Sequence, residues 1–293
     1  MTGFRTLDRN NALIKEVYET VGGNIFIRKN HTDNNYCYVY CSSNDLYKKD
    51  SESDFVQKIV KGNRFEWMNR SAQNAPAKEI FIRDVWLSWY ANGVNQDIDS
   101  IEKLIDFIRM ESSGMDLVTI GVSSGGFIAA ILASECNAVR CFDFSGQFSI
   151  QNHFNHSTDN LFISQFYDGK KQSGGGYFEA YKFIQKSKTS IFYFYPCKCK
   201  QDSEQAVFAR MCDNVKCIAF DSKRHGSPVL SVSLPVLLSY SNDMLNQLYE
   251  INRECVVNPV LFSCRVSGII ATSRFLFNKT LKIIKKRALR HKE

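Results

Sequence analysis

The pattern of apolar and polar residues along the chain predicts alternating strands and helices. Short runs rich in Val, Ile, Phe, Tyr and Cys, several of them apolar on both faces, indicate strands of a buried parallel sheet. These runs are Asn24–Arg28, Tyr36–Cys41, Glu79–Arg83, Leu117–Ile120, Ala138–Phe144, Ser190–Tyr195 and Val215–Phe220. Apolar residues at helical spacing predict helices at Ile98–Glu111, Gly125–Ser134, Phe178–Lys186, Ser203–Met211 and Leu234–Arg253. This alternation predicts an α/β sandwich with a mostly parallel central sheet and crossover helices.

Residues 151–176 interrupt this alternation. The stretch holds His153, His156, Asp159 and Asp168 and ends in a glycine run, Gly174 to Gly176. We expect it to form an excursion over the edge of the sheet that acts as a lid. Because no low-complexity linker divides the chain, we predict one α/β domain over residues 1–260 and a C-terminal extension over residues 261–293.

The composition, with 44% hydrophobic and 23% charged residues, is that of a water-soluble globular protein. The N-terminus lacks the apolar stretch of a signal peptide, and no long apolar run predicts a membrane-spanning helix. Ten scattered cysteines, several within apolar strands, indicate free thiols in a reducing compartment. We therefore expect a cytoplasmic protein. Cys197 and Cys199 form a C-x-C pair without a second pair at ligand spacing, so we expect no metal site.

The positive charge is concentrated at the C-terminus. From Arg265 onward, nine Lys or Arg residues and one acid, Glu293, contribute +8 to a net charge of +7, so the remainder carries −1. Between these cations, apolar residues recur at helical spacing. Such a helix suits an anionic membrane surface, here the inner membrane face, or an acidic polymer; the alternative is packing on the domain with a solvated basic end. Because the charge is local and no binding motif accompanies it, we expect no nucleic-acid partner.

A serine at the turn between a strand and a helix is the strongest chemical signal. The run Gly121-Val122-Ser123-Ser124-Gly125 follows Leu117–Ile120 and precedes the predicted helix. Small residues two positions either side of Ser123 permit a sharp turn that lifts the hydroxyl clear of the sheet. The pattern predicts a nucleophilic serine.

A serine hydroxyl becomes nucleophilic when a base removes its proton and a third group orients that base. Among five histidines, His225 fits best, since it lies in a Gly- and Pro-containing loop after the last predicted strand. Asp202 follows the preceding strand and is our expected orienting acid, although it could equally cap the next helix. Asp143 and Asp168 are the rival acids. The order Ser123, Asp202, His225 is that of α/β-hydrolases.

The site also needs donors for the oxyanion and a surface for substrate. We expect the first donor to be the amide of Ser124 and the second to come from Ser42 or Ser43, after an early strand. Arg83, Asp84, Trp86, Trp89 and Tyr90 form a cluster that is either a sugar-stacking cleft wall or an Arg–Asp pair supporting a loop beside core aromatics. Gln147, in Ser145-Gly146-Gln147, is either a ligand contact at the carboxyl edge of the sheet or part of a plain turn.

Together these residues resemble the α/β-hydrolase superfamily over roughly residues 24–253. More narrowly, Phe81–Asp84 with Trp89-Tyr90, the run from Gly121 to Gly126, and Phe144–Gln147 resemble capsule O-acetyltransferases and related proteins of bacterial capsule and surface-polysaccharide loci. The resemblance implies a Ser-His-Asp triad, an acyl-enzyme intermediate and acetyl-CoA as acyl donor, with no tightly bound cofactor.

The expected function is therefore O-acylation of a surface glycan or its precursor by a serine acyltransferase. Two alternatives remain open at this point. An esterase or deacetylase would use the same triad and transfer the acyl group to water. A non-catalytic module would keep the fold and take part in a glycan assembly complex.

Overall fold

The computed structural model describes residues 4–6, 8–20, 22–151, 167–168, 171–172 and 176–290, and the structural statements below concern these residues. The excursion expected over residues 151–176 lies almost entirely outside them. Two short strands, β6 (Tyr167–Asp168) and β7 (Lys171–Gln172), pair antiparallel within that stretch. The lid itself stays a prediction.

The main sheet has eight strands in the order β1-β3-β2-β4-β5-β8-β9-β10. Their bounds are Ile25–Lys29 (β1), Tyr36–Cys41 (β2), Lys78–Ile82 (β3), Asp116–Val122 (β4), Arg140–Phe144 (β5), Ile191–Pro196 (β8), Val215–Phe220 (β9) and Val256–Val257 (β10). Only β1 runs antiparallel to its neighbour; the other pairs are parallel. The parallel pairs require crossover connections, which the helices provide.

The helices follow the strands along the chain. They are α1 (Ala12–Glu19), α2 (Glu52–Phe55, continued by a π-helix over Val56–Lys61), α3 (Ile101–Glu111), α4 (Ser124–Glu135), α5 (Tyr181–Ile184, after a 3-10 turn at Tyr177–Glu179), α6 (Lys200–Ala209), α7 (Leu234–Leu237), α8 (Asn242–Asn252), α9 (Pro259–Ser267) and α10 (Ile269–Arg290). None of the helices in the described part of the chain is long and apolar enough to cross a membrane.

Two hydrophobic layers cover the two faces of the sheet, because successive side chains of a strand point to opposite faces. In β2, Val39 joins the layer formed with α3, α4, α5 and α6, whereas Tyr40 joins the layer formed with α7, α8 and α9. The central strands are buried on both faces, as their apolar runs predicted. The fold is therefore an α/β-hydrolase-like sandwich, with helices at its C-terminal end.

The other predicted elements are found with ends shifted by at most three residues. The prediction of a single helix over Leu234–Arg253 is wrong. This stretch forms two helices, α7 and α8, separated at residues 238–241. The Ser241 side chain accepts a hydrogen bond from the Met244 N–H and so caps a new helix start. Ser241 was the available signal for this break.

Candidate active site

The elbow between β4 and α4 places Ser123 in a strained backbone conformation, with φ 54° and ψ −125°. Glycines make this turn possible. A Cβ at Gly121 would lie 2.0 Å from the Gly125 carbonyl oxygen, and a Cβ at Gly125 would lie 2.4 Å from the Cys41 carbonyl oxygen. The close approach of three backbone segments thus explains the small residues on both sides of Ser123.

His225 is brought to Ser123 from 102 positions along the chain. Its Nε2 lies 2.8 Å from the Ser123 Oγ, within the range of a nucleophile–base hydrogen bond. The loop that carries His225 follows β9 and is held to the residue after β5, since the Ser145 hydroxyl donates to the Gly226 carbonyl at 2.8 Å. One third of the imidazole surface is exposed, at 33%, so a substrate can reach it.

Asp202 completes the array on the other side of the imidazole. Its two carboxylate oxygens lie 2.9 and 3.1 Å from His225 Nδ1, and its side chain is fully buried. Asp202 sits in the first turn of α6, whose N-cap is Cys199, so the alternative of Asp202 as the helix cap is wrong. With Nδ1–H donating to Asp202, the Nε2 lone pair faces the serine proton.

The structure describes one of the two rival acids in full. Asp143 belongs to β5 and is fully buried; its Oδ1 accepts from the Gly146 N–H at 2.7 Å. Burial raises the pKa of Asp143 to about 8, so it is mostly protonated at neutral pH. Asp168 lies in β6, and its side chain is outside the described residues, as are His153, His156 and Asp159.

The expected oxyanion donors have distinct surroundings. Ser124 opens α4, so its N–H is one of those without a partner within the helix. The Ser42 N–H donates to the Ile82 carbonyl at 3.0 Å and is engaged in extending the sheet. The Ser43 N–H donates to the Glu66 carboxylate at 2.8 Å. Of the two expected residues, Ser43 is therefore the better donor, provided that Glu66 moves away.

Glu66 was not found by sequence reasoning, because nothing in its local pattern marks it. It reaches the site from the loop after the π-helix, a contact between residues 23 positions apart. The neighbouring Trp67 fixes that loop, since its indole N–H donates to the Cys41 carbonyl at 3.0 Å. The loop of residues 42–44, which we name the oxyanion loop after its expected role, is tied to the elbow, since the Asn44 N–H donates to the Ser124 hydroxyl at 2.8 Å.

Arg83 and Asp84 are buried and do not form a cleft wall, which corrects that interpretation. Arg83 donates to Asn24 Oδ1 at 3.0 Å and to two backbone carbonyls, rather than pairing with Asp84. The Asp84 carboxylate accepts from the backbone N–H groups of Trp86, Ser88 and Tyr90. Asp84 therefore supports a turn in which three non-glycine residues, Leu87, Trp89 and Tyr90, have positive φ.

The aromatic residues of the same cluster have separate positions. Tyr90 is fully buried, and its hydroxyl donates to the Ser42 carbonyl at 2.7 Å, so it buttresses the oxyanion loop rather than stacking on a sugar. Trp86 is 4% exposed and lines a cavity of about 460 Å³ beside α1. The residues that line this cavity include none of the Ser123–His225–Asp202 array. Trp89 remains half-buried, and its indole N–H donates to the buried Gln147 at 3.1 Å.

Cys199 lies beside this array. One ligand atom each from Cys199, Asp202 and His225 fall within 4.8 Å of one another, a set that could hold a metal ion. Two of the three already form the imidazole–carboxylate hydrogen bond, so the cluster coincides with the array and needs no ion to explain it. Sequence reasoning had considered Cys199 with Cys197, whereas the structure places it with residues of α6 and the β9 loop.

Comparison with known proteins adds no family assignment. No protein-family model matches the chain, and no curated protein matches it. Among solved structures, the capsule O-acetyltransferase of Neisseria meningitidis serogroup A aligns with a TM-score of 0.47 and 10% identity, over 68% of this chain and 83% of that one. MenH from S. aureus aligns with a TM-score of 0.40 and 11% identity, over 79% and 98% of the two chains. The assignment of the α/β-hydrolase-like fold therefore rests on the strand order and the elbow.

Proposed function

We propose that this protein is a serine acyltransferase, with an esterase as the alternative outcome of the same chemistry. The observation that carries the proposal is the hydrogen-bonded array of Ser123, His225 and Asp202. Three side chains, from the elbow, from the first turn of α6 and from the loop after β9, meet at distances and in an order suited to nucleophilic catalysis. The strained Ser123 backbone supports it further, since such strain persists where function requires it.

In the acylation step, the Ser123 Oγ attacks the carbonyl carbon of the acyl donor while its proton passes to His225 Nε2. The negative oxygen that forms is stabilised by the Ser124 N–H and, once Glu66 has moved, by the Ser43 N–H. The tetrahedral intermediate collapses, the bond to the leaving group breaks, and His225 returns the proton to that group. Asp202 stabilises the imidazolium throughout.

In the second step, His225 takes the proton of an acceptor hydroxyl, whose oxygen attacks the acyl-serine. Collapse transfers the acyl group and frees Ser123, which recovers its proton from His225. We propose acetyl-CoA as donor and a bacterial capsular or surface polysaccharide as acceptor, on the basis of the three sequence stretches that resemble proteins of such loci. The exposed third of His225 also admits water, which is the observation that favours the esterase.

The decisive experiment incubates the purified protein with acetyl-CoA, with and without an oligosaccharide acceptor. Release of CoA that depends on the sugar, together with acetylated sugar, is the result expected of the transferase. Release that is independent of the sugar indicates hydrolysis.

Ser123→Ala is the matching variant. Loss of the oxygen nucleophile removes the acyl-enzyme route, so we expect activity to fall by about a thousandfold or more while the protein stays folded. Labelling by a fluorophosphonate probe measures the same nucleophile directly. Equal labelling of wild type and Ser123→Ala would remove Ser123 from the mechanism. Absence of labelling in both would favour the non-catalytic module.

A further inference from the structure

Helix α10 extends from the body of the protein. Its first two turns contain the buried Thr272 and the half-buried Phe275 and Leu276, whereas every described side chain from Phe277 to Lys285 is exposed. A helix rises about 1.5 Å per residue, so the exposed side chains of residues 277–285 cover about 13 Å of α10. Such a helix needs another partner for its apolar side chains.

The base of this helix is firmly held. In α9, the Phe262 ring is buried against Phe220, with ring centroids 5.0 Å apart. The Ser267 hydroxyl lies 3.0 Å from the Ser233 hydroxyl at the start of α7. Gly268, with φ 85°, then turns the chain from α9 into α10. The direction of α10 is therefore set by a packed helix.

One face of α10 is an exposed apolar stripe. Ile270, Phe277, Leu281 and Ile284 follow one another at intervals of seven, four and three residues, which places them on the same face. Their exposed fractions are 78, 64, 38 and 56%. Single exposed hydrophobic residues are ordinary, but four on one face of a helix, three of them within the eight residues 277–284, mark an interaction surface.

The charge of α10 is entirely positive, since no Asp or Glu occurs between Ile269 and Arg290. The exposed side chains of Arg274 and Lys285 border the apolar stripe, and those of Lys279 and Lys282 are exposed farther round the helix. The remainder of the chain before Arg265 has a net charge of −1. An anionic partner would therefore be attracted to this helix rather than to the domain.

An anionic lipid bilayer offers both an apolar phase and negative charge to such a helix. A soluble polyanion would neutralise the cations and leave Phe277 and Leu281 in water. A second copy of α10 would bury the stripe but bring cations together without acids to pair with them. We propose that α10 lies in the interfacial plane of an anionic phospholipid bilayer, with the stripe formed by Ile270, Phe277, Leu281 and Ile284 inserted between the headgroups.

The test is flotation of the full-length protein with vesicles of phosphatidylcholine alone or of phosphatidylcholine mixed with phosphatidylglycerol. We expect binding to the anionic vesicles that weakens with added salt. Phe277→Ser removes apolar area and should weaken partitioning by about tenfold or more. The double variant Arg274→Glu/Lys285→Glu should weaken it to a similar extent.

Met110→Ser is the matched control, because Met110 is 67% exposed on α3 but lies outside α10. It should float as wild type does, and thermal unfolding should show that all the variants fold. Flotation does not depend on catalysis, so its outcome is separate from that of the acetyl-transfer assay.

Three results would overturn the proposal. One is equal binding to neutral and anionic vesicles. Another is absence of vesicle binding, with concentration-dependent dimerisation that Phe277→Ser abolishes, which would identify a second copy as the occupant. The last is absence of vesicle binding together with tight binding to polyphosphate that Phe277→Ser leaves unchanged, which would identify a soluble polyanion.

Discussion

At the scale of single residues, the site combines the hydrogen-bonded Ser123–His225–Asp202 array with a backbone N–H, that of Ser43, which already has a partner. His225 is hydrogen-bonded to Ser123 and to Asp202. The Ser43 N–H, in contrast, donates to the Glu66 carboxylate at 2.8 Å. A carboxylate at that amide both blocks it and opposes the negative charge of an oxyanion. Glu66 therefore has to leave before Ser43 can contribute to catalysis.

Glu66→Ala should raise the rate of Ser123 acylation by a neutral ester by about tenfold, the cost of breaking a charge-assisted hydrogen bond. The measurement is kcat/KM for ester hydrolysis, or the rate of fluorophosphonate labelling. Glu66→Gln keeps a neutral acceptor in place and should give an intermediate rate. A slower Glu66→Ala enzyme would show instead that the carboxylate holds the oxyanion loop in its active conformation.

The buried carboxyl group of Asp143 should make the free energy of unfolding depend on pH. Burial raises its pKa to about 8, compared with about 3.9 in an unfolded chain. Between these values the folded state holds a proton that the unfolded state has lost. The Asp143 contribution to stability is therefore fully present below about pH 4, falls with a slope approaching 1.4 kcal/mol per pH unit, and is lost above about pH 8.

Asp143→Asn removes the titrating carboxyl group and with it the fall in stability between about pH 4 and 8. The variant should therefore gain stability relative to wild type as the pH rises from about 5 to 8. Denaturant unfolding at several pH values measures the difference. Asp213→Asn, at an exposed position after α6, is the control. Parallel curves for wild type and Asp143→Asn would show that Asp143 is ionised in the folded protein at neutral pH.

At the scale of elements, the elbow depends on backbones that approach more closely than side chains allow. Gly121, at the end of β4, faces the Gly125 carbonyl of α4, and Gly125 faces the Cys41 carbonyl of β2. On the other side, a Cβ at Gly126 would lie 2.4 Å from the Asp143 carboxylate. Three strands and one helix are thus packed around Ser123, and a methyl group at Gly121, Gly125 or Gly126 would collide with them.

Gly121→Ala should therefore reduce the free energy of unfolding by about 2 kcal/mol or more and slow the labelling of Ser123, since the helix start has to shift. Gly114→Ala is the matched control, because a Cβ there meets no atom within 4 Å. It carries only the strain of a positive φ, about 1 kcal/mol. Equal losses in the two variants would contradict the steric account of the elbow.

At the scale of the whole molecule, the C-terminal helices belong to two environments. Helix α9 completes the hydrophobic layer over one face of the sheet, whereas the side chains of α10 from Phe277 to Lys285 are exposed. The predicted division at residues 260 and 261 stays a prediction. The packed residue Phe262 nevertheless places the start of the predicted extension against the core.

Two phenylalanines in these consecutive helices provide a matched test. Phe262 is 2% exposed and Phe277 is 64% exposed. Phe262→Ala should lower the free energy of unfolding by about 3–5 kcal/mol, because it leaves a cavity in the core. Phe277→Ala should change it by less than about 0.5 kcal/mol. Denaturant unfolding compares the two, and a large loss in Phe277→Ala would show that α10 packs on the domain.

The local pattern was sufficient for the fold and for identifying the three residues that the structure joins by hydrogen bonds, Ser123, His225 and Asp202. The runs Tyr36–Cys41 and Val215–Phe220 marked their strands to the residue. The first is apolar throughout because its strand, beyond Tyr36, is buried on both faces. Ser123 was identifiable because the elbow requires small neighbours. His225 and Asp202 followed from chain order, since few residues of the right chemistry come after the relevant strands.

Tertiary structure alone decided the partners of the polar groups around this array. Asp84 turned out to accept from its own turn, Tyr90 to support Ser42, and Glu66 to bind Ser43. The same residue types in the same order would suit a cleft wall equally well, because sequence does not specify which side of a loop faces solvent. The sequence determined the α/β fold and the candidate nucleophile through local sterics and hydrophobic periodicity. The hydrogen bond between the Ser43 N–H and Glu66 depends on a contact between segments 23 positions apart, which only the folded chain brings together.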